Sequence, residues 1–345
     1  MKRVVVGMSG GIDSFVTALF LQQKGYEVVG VTLELWERNE VEEVEALCSH
    51  LGMKLITQNG RELFRQMVVQ PFIEGYLSGL TPSPCCVCNS YVKWELLRQA
   101  ATDLGAEYIA TGHYVRIVHT NDKYYIRKGV DSQKDQSYFL WGVPQEILAR
   151  ALFPLGDYTK AEVKAWAMAN GYEQMTRKKE SMGVCFLKGN DYRDFIQKNA
   201  GNRVEQKRGA IINRKGKEIG THQGLLNYTV GQKRGMPYLN GQFLYVAEIN
   251  TEQNILVADI KSGLYTMSLV VNQVKVVSWE DLFTGDISIK IRGIGLNPGG
   301  FVKMEEYGAN SLKVYLSEPA WAIAPGQPVA FYREDILLGG GIAME

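Results

Sequence analysis

VVVGMSGGIDS, residues 4–14, is the stretch on which the reading of this chain turns. Lys2–Gly7 reads as a buried strand, with the β-branched run Val4–Val6 at its centre. Helical spacing of Phe15, Leu19 and Leu21 begins at Asp13 and runs to Gly25. The turn between them, Ser9-Gly10-Gly11-Ile12-Asp13-Ser14, leads a strand into a helix. A turn of that kind aims backbone N–H groups and the positive end of a helix at an anion, and the two glycines let the backbone come close to it. Neither GxGxxG nor GxxxxGK[ST] is present, so the turn is neither a dinucleotide fingerprint nor a Walker loop.

Outward from this turn the chain alternates. Glu27–Leu35 reads as a strand, Val41–Gly52 as a helix stopped by glycine, Lys54–Gln58 as a strand. Helices follow at about 61–78 and 91–104, then a strand at Ala106–Thr111. Strand–helix alternation predicts an α/β domain, a parallel sheet with helices on both faces. Ligands of such sheets sit beyond the carboxyl ends of the strands, where the SGG turn and ATGHY (110–114) can meet over one ligand. Residues 135–200 read as mainly helical. From Arg208 short β-rich runs such as FLYVAEI, NILVADI and SLKVYL, divided by Gly, Asn and Pro, predict one or two small β-barrels.

At 345 residues the chain suits two or three domains. Hydrophobic content of 46% and mean hydropathy of −0.15 indicate a soluble globular protein. No apolar run approaches the roughly 18 residues of a membrane span, and the N-terminal apolar run is too short for a signal peptide. A cytoplasmic location with reduced thiols is the expectation. The net charge of +1 announces no polyanion partner. Locally, seven bases (Lys198, Arg203, Lys207, Arg208, Arg214, Lys215, Lys217) face one acid, Glu205, and Lys233 and Arg234 follow. Such a run is either a solvated face or the minimum that a phosphate backbone needs.

Three of the five cysteines lie in TPSPCCVCN, residues 81–89. Zinc wants four ligands, and Cys85 with Cys88 makes a single CxxC. Cys48, between Leu47 and Leu51 on an amphipathic helix, reads as a small core residue. Cys185 follows Arg177-Lys178-Lys179, whose field would favour a thiolate; a buried strand cysteine is the equal alternative.

The SGGxDS turn resembles the pyrophosphate loop of the ATP pyrophosphatase (PP-loop) superfamily, whose members adenylate an oxygen and then displace it with nitrogen or sulfur. More specifically, VVVGMSGGIDS, TPSPCCVCN, ATGHYVRI, KDQSYFLWGV, FPLGDYTKAEVKAWA, ESMGVCF, GTHQGLLNYTVGQKRG and APGQPVAFY resemble, in that order, the tRNA-specific 2-thiouridylase (MnmA) family. The resemblance implies a PP-loop α/β catalytic domain (1–197), a small central β-rich tRNA-binding domain (198–266) and a C-terminal β-barrel (267–345). It implies ATP and Mg2+ as cofactors, and tRNAs for Lys, Glu and Gln as substrates. A persulfide donor is implied too, either a cysteine desulfurase or a sulfur relay protein. ATP would adenylate the 2-oxygen of the wobble uridine, and sulfur would replace it. Cys185 would carry the persulfide and Cys88 would be the nucleophile, the two ending as a disulfide. Gly7, Met8, Ser9, Gly10, Gly11, Ile12, Asp13, Ser14, Leu33 and Gly112 would line the ATP site, with Asp13 near magnesium. His113, Lys134, Asp135, Gln136, Arg292, Gly293 and Gln327 would meet the tRNA, whose uridine must leave its stack.

The chain departs from the family at Cys85, which stands where the family often has aspartate, and Cys86 is extra. Cys85 is then a relay or resolving thiol; alternatively Cys85, Cys88 and Cys185 ligate an iron–sulfur cluster through three thiolates. Two further readings compete: another PP-loop enzyme acting on a small substrate, and a non-catalytic CxxC metal-binding RNA protein.

Overall fold

The computed structural model describes residues 1–36, 41–178, 183–204, 207–293 and 295–344. Lys179, Glu180, Ser181, Met182 and Glu205, which enter the sequence reading, lie outside the described residues.

The N-terminal sheet contains β1 (Arg3–Gly7), β2 (Glu27–Glu34), β3 (Lys54–Asn59), β4 (Tyr108–Ala110) and β7 (Ala151–Leu152). Their order is β3-β2-β1-β4-β7, and every pair is parallel. The two-residue alternation of a strand divides its side chains between the sheet's faces. Val4 and Val6 pack with Ala18 and Leu21 of α1 (Ile12–Gln23) and with Val44 and Cys48 of α2 (Val41–His50). Val5 points the other way, to Trp94, Leu97 and Ala100 on the helix Trp94–Asp103. Both faces are therefore covered, as the uninterrupted valine run requires. The chain leaves β1 toward β2 on one side and meets β4 on the other, so the sheet's switch point lies just beyond Gly7 and Ala110.

Two helical regions differ in detail from expectation. Arg61–Leu77 is continuous but contains a π-helical turn at Arg65–Val69, and a second such turn, Asn89–Lys93, precedes Trp94. Widened turns of this kind re-aim the side chains that follow, often at functional sites.

The hairpin β5 (Val115–Thr120) and β6 (Lys123–Lys128) was not anticipated. Its turn residues Asn121 and Asp122 have φ of 49° and 56°, the left-handed conformation that two-residue hairpins favour. It leaves the parallel sheet and joins the C-terminal one, β6 pairing with β18 (Ile336–Ala343).

The β-rich half forms two sheets. The first has order β10-β11-β12-β8-β9, from Tyr238–Leu239, Gln242–Asn250, Ile255–Ile260, Gly209–Asn213 and Glu218–His222. Its small core is Ile211, Tyr228, Val246, Leu256 and Ala258. The second is built from β13 (Tyr265–Val276), β14 (Ile287–Lys290), β15 (Val302–Gly308), β16 (Ser311–Trp321), β17 (Pro328–Arg333) and β18, over a larger apolar core. Among the described residues no helix is long and apolar enough to cross a membrane.

Candidate functional site

Beyond β1 the chain turns at Gly10, whose φ of +76° suits glycine, and Gly11 caps α1 without a side-chain hydrogen bond. The helix's first N–H groups are thus left for a ligand. Ser14 Oγ braces the turn, accepting from Ser9 N at 3.2 Å and donating to Gly11 O at 3.0 Å. Met8 is buried and donates to Val31 O, while Leu33 is half-buried on β2. Lys178 Nζ lies 3.5 Å from Gly10 O, within reach of whatever anion the turn holds.

The loop after β4 lies directly against this turn. A Cβ placed on Gly112 would sit 2.8 Å from the carbonyl carbon of Asp13, so only glycine fits there. The two loops that the sequence placed at strand ends do meet at the switch point. Asp13, however, already has partners. Lys160 Nζ bonds both its carboxylate oxygens at 2.7 and 2.8 Å, and Tyr114 donates to it at 2.7 Å. The carboxylate expected near magnesium is thus paired with a buried lysine.

Pro84–Cys88 is a single helical turn that divides its cysteines between two cores. Cys86 packs in the cluster around Trp94, its Sγ 3.8 Å from the carbonyl of Tyr138; burial pushes its thiol up to about 12. Cys88 packs with Phe64, Phe72 and Phe186, and burial pushes its thiol up to about 11. Phe186 adjoins Cys185, so this aromatic cluster brings Cys185 to the Cys88 side of the turn. The negative charge of a Cys185 thiolate raises the thiols of both Cys85 and Cys88. Cys185 is exposed, Cys85 half-buried, and all five cysteines are free. Cys48 is a core residue, as expected, its thiol raised to about 11 by burial.

The basic run before Cys185 is committed elsewhere. Arg177 pairs with Glu173 and Lys178 with Glu43, the latter at 2.5 Å, while Lys179 lies outside the described residues. Among the described residues, the cation whose charge is felt at these thiols is Lys93, at the end of the π-helical turn. Its charge opposes the rise at Cys85 and Cys88 and helps hold His113 down. Burial foremost, then Lys93, lowers His113 to about 3, so its imidazole is neutral. Its Nδ1 and Thr111 Oγ1 are hydrogen-bonded at 2.7 Å, and the ring stacks toward Trp94.

As ligands for an iron–sulfur cluster, three thiolates have the right chemistry. Among the described residues, though, no group of three His, Cys, Asp or Glu side chains is placed to hold a metal ion. Cys85, Cys88 and Cys185 as arranged do not make a cluster site.

The C-terminal β-rich domain and the Ser137–Leu140 turn both pack against the cysteine turn, next in sequence to the expected tRNA-facing residues Gln136 and Gln327. Thr81 N donates to Pro325 O at 2.7 Å, Tyr138 Oη to Pro328 O at 2.9 Å and Asn89 Nδ2 to Phe139 O at 3.2 Å. Gly293 leaves no room for a side chain against Phe139. Several of these residues are internally engaged. Asp135 accepts from Ser137 N and Oγ, Gln136 Oε1 from Tyr114 N, and Arg292 donates to the carbonyls of Trp321 and Ala322. Lys134 N donates to Asp131, and the buried Gln327 Oε1 has no hydrogen-bond partner among the described residues.

Three family models cover most of the chain. The tRNA methyl transferase HUP domain matches residues 2–189, the tRNA methyl transferase PRC-barrel domain 193–259 and the aminomethyltransferase beta-barrel domain 269–343. The tRNA-specific 2-thiouridylase MnmA of Natranaerobius thermophilus is 38% identical, over 100% of this chain and 98% of its own. The protein so named from Carboxydothermus hydrogenoformans is 40% identical, over 99% and 97%. The tRNA-specific 2-thiouridylase MnmA 1 of Bacteroides fragilis has those same values.

Proposed function

The chain belongs to the tRNA-specific 2-thiouridylase family and is a tRNA-uridine 2-sulfurtransferase, and from that premise we propose how its residues divide the work. ATP lies at the switch point, its phosphates on the N–H groups of Ser9–Ser14 and its base side toward Leu33 and Gly112. Magnesium supplies charge neutralisation on those phosphates. The wobble uridine, turned out of its stack, enters between the cysteine turn and His113. Its 2-oxygen attacks the α-phosphorus of ATP; the bond to pyrophosphate breaks, and the oxygen becomes part of a good leaving group.

Cys185 arrives carrying a persulfide. Its terminal sulfur attacks carbon 2, and AMP departs with the former oxygen. Cys88 thiolate attacks Cys185 Sγ, so the S–S bond of the persulfide breaks as the Cys88–Cys185 disulfide forms and sulfur remains on the base. A dithiol reductant then restores both thiols. Cys85, in the place of the family's frequent aspartate, offers a relay or resolving thiol beside Cys88. Lys93 stabilises the thiolates that burial disfavours. Neutral His113 can exchange hydrogen bonds with the uracil without adding charge.

The observation that supports this most is that Phe186, the neighbour of Cys185, packs in one cluster with Cys88, and that the charge of a Cys185 thiolate is felt at both Cys85 and Cys88. The substrates are tRNAs for Lys, Glu and Gln, and the persulfide comes from a cysteine desulfurase or a sulfur relay protein. Five free thiols suit the reducing cytoplasm.

Pyrophosphate release from ATP tests the reading. It should depend on tRNA lacking the modification. Equal release without tRNA would favour a small-substrate enzyme, and none under any condition a non-catalytic RNA protein.

A further inference from the structure

The mechanism makes no use of the β10–β11 hairpin, which exposes its largest apolar side chains. Tyr238 and Phe243 face each other across the register, with 59% and 53% of their surfaces open to solvent. Their ring centroids are 4.9 Å apart. Asn240 and Gly241, at φ 49° and 77°, close the hairpin in the left-handed turn that keeps a two-residue loop rigid. Lys233 Nζ stands 3.4 Å from the centre of the Phe243 ring. Leu239 adds a further exposed apolar surface.

Left to water, two such rings gain nothing. What they face can be argued from charge. Over residues 207–243 the chain carries Lys207, Arg208, Arg214, Lys215, Lys217, Lys233 and Arg234 against a single acid, Glu218. The β9 edge curls round to this hairpin, since a Cβ on Gly220 would lie 3.1 Å from Pro237, next to Tyr238. The hairpin thus projects from the most basic part of the chain, with a cation seated on one of its rings. Exposed aromatics set among cations suit single-stranded nucleic acid, where bases stack on the rings and phosphates meet the charges.

We propose that the Tyr238–Phe243 hairpin is a stacking platform for an unpaired base of the bound tRNA, with Lys233 and Arg234 on the adjoining phosphates. This rests on the tRNA reading and extends it to a second contact, distinct from the cysteine turn. A platform of this kind reads a base's π-face rather than its edge, so it tolerates any sequence and serves to hold the tRNA.

Equilibrium binding of unmodified tRNA by the full chain, across a salt series, tests the proposal. The variant Tyr238→Ala/Phe243→Ala should bind about ten- to a hundredfold more weakly, with the salt slope unchanged. Lys233→Gln should lower that slope by about one. Phe243→Trp should bind as the parent does, which separates loss of stacking from loss of fold. Pyrophosphate release at saturating tRNA should persist in all three. If the parent binds tRNA and the double variant binds equally well, the platform is wrong and the enzyme reading stands. If the double variant instead changes self-association with tRNA affinity intact, the hairpin is an interface between copies and the proposal falls. A parent that binds no tRNA would remove both.

Discussion

Lys160 Nζ stands 2.7 and 2.8 Å from the two carboxylate oxygens of Asp13, across 147 positions of sequence. The lysine opens the helix Lys160–Ala169, whose Thr159–Glu162 capping box anchors its start, and the aspartate lies in the first turn of α1. Lys160 is 7% exposed. An unpaired charge there would be costly, so the pair fixes the pyrophosphate turn against the rest of the domain. Lys160→Met should destabilise the protein by about 1–3 kcal/mol, less than for a fully buried pair because Asp13 is partly open to water. It should also raise KM for ATP more than it lowers kcat. In a double-mutant cycle with Asp13→Asn, denaturant unfolding should give a coupling of about 1 kcal/mol or more. Additive losses would mean that the pair does not act as a unit.

Gly112 is where the two strand-end loops touch. An alanine Cβ, 2.8 Å from the Asp13 carbonyl carbon, has to push the pyrophosphate turn aside. Gly112→Ala should cost roughly 1–3 kcal/mol of stability. It should also cost about a hundredfold in tRNA-dependent pyrophosphate release, since small misplacements of reacting groups are expensive. Near-normal release would show that the loops tolerate separation.

Lys93 is the cation shared by Cys85, Cys88 and His113. Lys93→Met should push both thiols higher still. At neutral pH each added unit reduces the thiolate tenfold, so single-turnover thiolation should fall by about that factor and recover partly as the pH is raised. A pH–rate profile superimposable on the parent's would remove Lys93 from the account.

His113 carries a lowered pKa of about 3 in the fold against an ordinary value of 6.5. Between those values the unfolded chain binds the proton that the folded one refuses. Its contribution to stability is thus complete above pH 6.5 and is lost as the pH falls toward 3, by at most about 1.4 kcal/mol per pH unit. His113→Gln should flatten the acid limb of a stability–pH curve measured by denaturant unfolding. An unchanged limb would mean that the imidazole is protonated in the fold.

What the residues told in advance follows from where their partners lie. The valine run, the two glycines and the alternation to about residue 111 were readable because each needs only near neighbours to be understood. Cys48 and the β-rich half were readable for the same reason. The pairing of Cys88 with Cys185 was suggested only by family resemblance, since no spacing rule brings residue 185 to residue 88. Lys160 was missed because a lysine in a helix's first turn ordinarily reads as solvated, and only Asp13, far away in sequence, accounts for its burial. Lys93 was missed because its position depends on a π-helical turn that no residue of Asn89–Lys93 announces. The basic run at Arg177–Lys179 drew attention toward Cys185, yet its described charges serve Glu173, Glu43 and the Gly10 carbonyl. The β5–β6 hairpin was hidden inside a stretch read for its TGHY loop, although Asn121-Asp122 carries a turn signal.

Mass spectrometry of tRNA incubated with the enzyme, ATP, magnesium and a persulfide source tests the central claim directly, because it reads the sulfur atom on the base. The account predicts a gain of one sulfur in place of oxygen at the wobble uridine, absent in Cys88→Ala and in Cys185→Ala. Thiolation that persists in both variants would contradict it.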